Sequence, residues 1–176
     1  VTAPFRVEPL GPSHDRAGFE CGVDLLDRYF REQASQDVKR RATACYVAVE
    51  ASTARVAGYY TLAAAGVALV DLPEALIKRL PRYPSVPVAR VGRLAVAIDY
   101  RGRKLGAALL WDALERSARS EVAVFALVVD AKDDQAEAFD RHHGFLAFGN
   151  AARQLVLPLP KSPFSSNPPR SQPRGK

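Results

Sequence analysis

Cysteine and histidine are scarce: 176 residues hold two cysteines, Cys21 and Cys45, and three histidines. The two cysteines show no metal-ligand spacing and each sits among apolar neighbours, so neither a disulfide framework nor a metal centre is expected. No apolar run approaches the roughly 20 residues needed to cross a bilayer, which excludes a membrane-spanning helix. The opening segment Val1-Thr2-Ala3-Pro4-Phe5-Arg6 carries no apolar stretch of signal-peptide type. A cytosolic protein without membrane contact is therefore expected. No internal repeat is present to suggest more than one domain.

Acid is also in deficit, with 19 Asp and Glu against 25 Lys and Arg, a net charge of +6. Such a balance fits either an ordinary basic surface or attraction to a polyanion such as nucleic acid. Lys39, Arg40, Arg41, Lys78, Arg79, Arg82, Arg90 and Arg93 stand near the ends of different predicted elements, where they can share one face. Hydrophobic residues make up 48% of the chain, enough for one substantial core. The expected division is a domain over residues 1–158 and a Pro/Ser/Arg-rich, disordered tail over 159–176.

Period and punctuation outline the elements. Phe5 to Glu8 reads as a strand, and a turn at Gly11-Pro12-Ser13 precedes an amphipathic helix after Cys21-Gly22. In that helix Leu25, Leu26, Tyr29 and Phe30 form the predicted buried face, with Asp27, Arg28, Arg31 and Glu32 outward. Tyr46–Val49 and Val56–Leu62 read as antiparallel strands joined at Ser52-Thr53. Pro73 starts a short helix. Leu105 to Arg119 reads as a helix, Ala123–Val129 as a strand buried on both faces, and Gln135 to His143 as a helix capped by Asp133 or Asp134 and ended by Gly144. Leu155–Leu157 is the last strand. The order predicts an α/β (α+β) protein with a mixed central sheet flanked by helices.

The junction from Val88 to Ala107 carries the chemistry. An apolar strand runs through Leu94, Ala95, Val96 and Ile98 into the basic turn Arg101-Gly102-Arg103-Lys104, which opens a helix at Leu105-Gly106-Ala107. Small residues let successive backbone N–H groups converge, and the helix adds its positive end, so such a turn suits a pyrophosphate.

These residues resemble the GNAT N-acetyltransferases, and within them the toxins of bacterial toxin–antitoxin modules that acetylate aminoacyl-tRNA. The likeness runs through Phe19-Glu20-Cys21-Gly22, Leu25-Leu26-Asp27, Val56–Leu62, Pro81–Pro87, Gly92–Val96, Arg101–Gly106 and Phe139 to Phe145. It implies a GNAT fold and acetyl-CoA as the acyl donor. Leu94, Ala95 and Val96 would meet the pantetheine arm, the Val96 N–H would polarise the thioester carbonyl, and Arg101, Gly102, Arg103, Lys104, Leu105, Gly106 and Ala107 would cradle the pyrophosphate. Lys104 takes the place of the pattern's middle glycine, where a Cβ restricts positive φ. Asp140 occupies the position of the family's proton-donating tyrosine. As an ordinary aspartate it is ionised at neutral pH and has no proton to give, which implies slow turnover. His142 and His143 are read either as helix-end residues or as a substitute acid.

The resemblance further implies an aminoacyl-tRNA acceptor held by Lys39, Arg40, Arg41, Arg79, Arg82, Arg90 and Arg93. It also implies a homodimer, a ribbon-helix-helix antitoxin, and DNA contact through the antitoxin complex alone. Two alternatives stay open: a GNAT enzyme acetylating a small amine or protein N-terminus, and an inactive module that binds coenzyme or antitoxin.

Overall fold

The computed structural model describes residues 4–161, so all of the tail expected over 159–176 except its first three residues lies outside the described residues. Seven strands form one sheet in the order β1-β2-β3-β4-β5-β7-β6. They are β1 (Phe5–Pro9), β2 (Ala44–Glu50), β3 (Val56–Ala68), β4 (Ser85–Val96), β5 (Ala126–Asp130), β6 (Leu146–Ala147) and β7 (Gln154–Pro158). All neighbours pair antiparallel except β4 and β5, which run parallel and are joined through helix α4 (Leu105–Ala118). That mixed sheet, flanked by helices, is the architecture expected from the element order.

The first helical segment departs from its predicted face. α1 (Asp24–Arg28) continues through a π-helical turn at Tyr29–Gln33 into α2 (Ala34–Lys39). Leu25 is 77% exposed and Asp27 only 4%. The cause is local: the buried Cys21 N–H needs an acceptor, and the Asp27 carboxylate takes it at 2.8 Å. Two residues are 200° apart on a helix, so turning Asp27 inward turns Leu25 out.

Both faces of the sheet are covered. The Tyr59 ring stacks on Phe30 with centroids 4.3 Å apart, while the next residue, Tyr60, donates its hydroxyl to Asp112 of α4 at 2.6 Å. The strand's two-residue period thus puts α1 and α2 on one face and α4 on the other. β3 continues six residues past its predicted end at Leu62 and keeps the same alternation. Val67 therefore faces the α1 side, where it packs with Val86, Val88, Ala126, Val128 and Leu76 of α3 (Glu74–Ile77). The basic ends of α2 and α3 consequently lie on the same side of the sheet. β5 is buried on both faces as its apolar run requires, although it begins at Ala126 rather than Ala123.

Beyond β7, Leu159 is still buried, and its N–H donates to the Phe125 carbonyl at 3.0 Å. Cys21 and Cys45 are both buried and free. Among the described residues no helix is long and apolar enough to cross a membrane.

Candidate active site between splayed strands

One extra residue in β4 creates the site. Tyr60 pairs with Leu94 but Leu62 pairs with Val91, so Thr61 stands opposite both Gly92 and Arg93. The Thr61 hydroxyl accepts the Arg93 N–H at 3.0 Å and fixes this bulge. A bulge bends its strand and raises its twist. Pairing of β4 with β5 stops at Val91, where the bulge begins, and the two strands diverge beyond it. The resulting cleft of about 640 Å³ lies between Leu94, Val96 and Gly106 on one wall and Val129, Phe139 and Asp140 on the other.

The bulge also decides which amides face the cleft. The Ala97 N–H donates to the Ala57 carbonyl at 2.8 Å, which makes Ala57 and Ala97 a hydrogen-bonded pair. Antiparallel pairs alternate, so Gly58/Val96 and Tyr60/Leu94 are non-hydrogen-bonded pairs. The N–H and C=O groups of Leu94 and Val96 therefore point away from β3, into the cleft. Those of Ala95 are taken by Tyr59, which leaves Ala95 no main-chain group for a ligand.

At the next turn the N-terminus of α4 opens on the same cleft. Intrahelical bonding starts with the Ala108 N–H on the Lys104 carbonyl at 3.1 Å, so the N–H groups of Leu105, Gly106 and Ala107 precede the ladder. No side chain caps this end and no acid stands in its first turn. Helix α5 (Asp134–His142) differs: Asp133 accepts the Ala136 N–H at 2.8 Å, and Asp134 and Glu137 stand in the first turn. The contrast leaves α4 as the helix end suited to an anion.

Lys104 occupies the left-handed region at φ +59°, a conformation that costs a non-glycine residue roughly 1–2 kcal/mol. Its side chain lines the cleft, as do Arg101 and Gly102. Arg101 donates to the Cys21 carbonyl across Gly22, where a Cβ would stand 2.9 Å from the guanidinium. It thereby ties the loop before α1 to the cleft mouth. The Arg103 side chain turns away, over the Tyr100 ring and toward Glu50, so only its main chain is available there.

The candidate nucleic-acid residues divide. Lys39, Arg40 and Arg41 are exposed at the end of α2, and Arg79 and Arg82 in the segment between α3 and β4. Arg93 lines the cleft, with its guanidinium 3.6 Å from the centroid of the Tyr29 ring, on the π-helical turn. Arg90 is paired with Asp130 at 2.6 Å, which compensates much of its charge.

Asp140 corrects the sequence reading. It is 8% exposed, and burial pushes its pKa up to about 6, against a smaller opposing pull from His143. A fraction of it is therefore protonated at pH 7. Neither His142 nor His143 lines the cleft, and the His143 Nδ1–H donates to the Phe139 carbonyl at 2.8 Å. The substitute-acid reading of these histidines has no geometric support.

The raised pKa has a stability consequence. Asp140 binds its proton more tightly folded than unfolded, so its ionisation costs nothing below about pH 4 and the full penalty, up to about 3 kcal/mol, above about pH 6. Asp140→Asn is expected to be more stable than the parent in denaturant at pH 7.5 and equal to it at pH 4.

The acetyltransferase (GNAT) family profile matches residues 14–145. The chain belongs to the GNAT family. A tRNA-acetylating toxin of Mycobacterium tuberculosis is 34% identical to this GNAT acetyltransferase over 146 residues, covering 82% of this chain and 84% of the toxin. A probable toxin TacT of Sinorhizobium fredii is 28% identical over 163 residues, covering 87% and 90%. The crystal structure of AtaTR bound with AcCoA matches with a TM-score of 0.75 at 25% identity, over 88% of this chain and 94% of that one. Sequence reasoning singled out the basic turn that opens α4 but missed Thr61, whose hydroxyl sets the bulge. No local pattern marks a threonine for that role.

Proposed function

We propose that this chain transfers the acetyl group of acetyl-CoA to the α-amine of aminoacyl-tRNA, acting in the cytoplasm as a toxin that blocks translation. The observation that carries the reading is a cleft floored by the free main-chain groups of Leu94 and Val96, closed by an uncapped helix end, and bordered on one side by exposed basic helix ends. Resemblance to a tRNA-acetylating toxin supplies the acceptor, and the AcCoA-bound relative supplies the donor.

The residues divide the work. Leu105, Gly106 and Ala107 offer N–H groups to the pyrophosphate, with the Lys104 ammonium beside them. Leu94 offers its main chain to the pantetheine arm. The Val96 N–H donates to the carbonyl oxygen of the thioester as that oxygen gains charge, while Arg93 and the exposed Lys39, Arg40, Arg41, Arg79 and Arg82 hold phosphates of the acceptor stem. By the same resemblance, the toxin is a homodimer restrained by a ribbon-helix-helix antitoxin, through which alone it meets DNA.

Asp140 favours a second reading, in which the chain binds coenzyme or antitoxin without turnover. Labelled acetyl-CoA, incubated with a charged tRNA pool and either this chain or its Asp140→Tyr variant, separates the possibilities. Label on aminoacyl-tRNA and none on uncharged tRNA is the expected result. Coenzyme binding by calorimetry with label only on small amines or peptide N-termini overturns the acceptor. Binding without transfer by either protein establishes the inactive module.

A further inference from the structure

Five arginines among the described residues are half-buried: Arg16, Arg90, Arg93, Arg116 and Arg153. Four of them are partnered. Arg16 donates to the carbonyls of Phe30 and Arg31, Arg90 to Asp130, Arg116 to Asp112 and the Val7 carbonyl, and Arg153 to Asp134. Arg93 alone of the five gives its guanidinium no carboxylate and no carbonyl among the described residues, and its bond to Thr61 uses the main-chain N–H. A partly desolvated guanidinium with all its N–H groups idle is unfavourable, and an anionic ligand relieves it.

An aromatic ring holds Arg93 in place. Its guanidinium lies 3.6 Å from the centroid of the Tyr29 ring, and the buried Tyr29 donates its hydroxyl to Asp37 at 2.9 Å. The negative face of the ring attracts the cation, while the Asp37 carboxylate behind the hydroxyl fixes the ring's orientation. Stacking covers one face of the guanidinium. Its N–H groups lie in its plane, so they stay free for a ligand.

The position of this group limits what it can meet. Leu26, one turn before Tyr29, lines the cleft, as does Arg93 itself, so the guanidinium stands at the border of the cleft. Along β4, three residues separate Arg93 from Val96, about 10 Å. In an aminoacyl-tRNA about 8–10 Å of ester and sugar separates the α-amine from the phosphate before the terminal ribose, whereas a side-chain carboxylate lies within about 5 Å of that amine. The first span matches and the second falls short. From Tyr29 the same helical run leads on to the exposed Lys39, Arg40 and Arg41, about 16 Å further, so a basic path continues away from the cleft.

We propose that Arg93, seated on Tyr29, binds the phosphate that joins the last two nucleotides of the acceptor tRNA, so that an amine carried on a nucleotide is favoured over a free one. The inference rests on the acetyl-transfer reading above. Tyr29 and Asp37 are positioning residues: they hold the guanidinium plane so that two parallel N–H groups meet two phosphate oxygens. The contact forms when the acceptor binds and persists through transfer. Its loss therefore raises KM and leaves kcat within a few-fold.

The test pairs a change in the substrate with a change in the protein. Labelled acetyl transfer is measured on charged tRNA, and on charged tRNA whose last internucleotide linkage is an uncharged methylphosphonate, with the parent, Arg93→Gln, Tyr29→Leu and Tyr29→Phe. The parent is expected to lose about 10–100-fold in kcat/KM on the methylphosphonate. Arg93→Gln is expected to show that loss already on natural tRNA and little more on the methylphosphonate. For Tyr29→Leu the methylphosphonate penalty is expected to shrink with acetyl-CoA affinity unchanged, and for Tyr29→Phe, which keeps the ring, most of it should return. The substrate change leaves the protein untouched, so the parent's result stands even where a variant misfolds. Equal kcat/KM of the parent on the two tRNAs, or a penalty as large in Arg93→Gln as in the parent, overturns the phosphate contact and leaves the acetyl-transfer reading intact. A loss in Arg93→Gln confined to aspartyl- and glutamyl-tRNA assigns the guanidinium to the aminoacyl side chain and overturns the proposal likewise. No transfer by the parent to natural charged tRNA, with acetyl-CoA bound, overturns the reading itself and the proposal with it.

Discussion

Replacing Val96 by proline is expected to lower acetyl transfer by about 10²–10³ while acetyl-CoA still binds within a few-fold of the parent. The magnitude is that of losing one donor to a developing oxyanion, because the lone N–H removed is the one proposed to meet the thioester carbonyl. Proline normally disrupts a sheet by deleting a ladder bond. Here the Gly58/Val96 pair is not hydrogen-bonded, so the deleted N–H belongs to the cleft and not to β3. The neighbouring position gives the control: Ala95 is engaged with Tyr59, and Ala95→Pro is expected to destabilise the fold instead, by about 1–3 kcal/mol for the lost ladder bond and the partner carbonyl left unsatisfied. Val96→Ala keeps the amide and is expected to hold the rate within tenfold. Steady-state kinetics with calorimetry of coenzyme binding checks all three. A folded, coenzyme-binding Val96→Pro protein with an unchanged rate would remove the oxyanion role from this amide.

Neutralising Arg40, Arg41, Arg79 and Arg82 together is expected to weaken tRNA binding by about 10²–10³ and to reduce the slope of log K against log salt by about 3–4. These four are exposed, lie at the end of α2 or in the segment that follows α3, and make no ion pair among the described residues. A phosphate that no guanidinium neutralises keeps its counterion, so each substitution removes one ion from those released on binding. Arg90→Gln is expected to cost much less, because its guanidinium is already compensated by Asp130. Filter binding over a salt series measures both quantities. Unchanged affinity at low salt for the fourfold variant would show that tRNA meets another face. Since none of these residues is placed to read a base, the loss should be alike for every aminoacyl-tRNA.

The part of this architecture that a short window controls was legible in the chain. Asp133 caps α5 and Gly144 ends it at φ +95°, both as turn chemistry requires, and the uninterrupted apolar run through Val129 became a strand covered on both faces. The same holds for the basic turn that starts α4. Lys104 entered the left-handed region that the pattern demands, although lysine pays a steric cost there that glycine does not. The inward turn of Asp27 was not legible, because the donor it satisfies belongs to Cys21 in the preceding loop. Nor was the length of β3, whose last residues are held by pairing with Ser85–Arg90 and by α3 packing, not by their own alanine-rich sequence.

By itself the amino-acid sequence determined the order of strands and helices, the basic character of the surface, and the place where a strand meets an uncapped helix. Those depend on residue type and on neighbours within a few positions. Tertiary structure alone decided that the N–H groups of Leu94 and Val96, and not that of Ala95, face the cleft, because a bulge pinned by Thr61 from another strand shifts the alternation by one. It also decided the state of Asp140. A carboxylate's affinity for its proton depends on the water and charges around it, and those are set by walls that the fold assembles from β4, α4, β5 and α5.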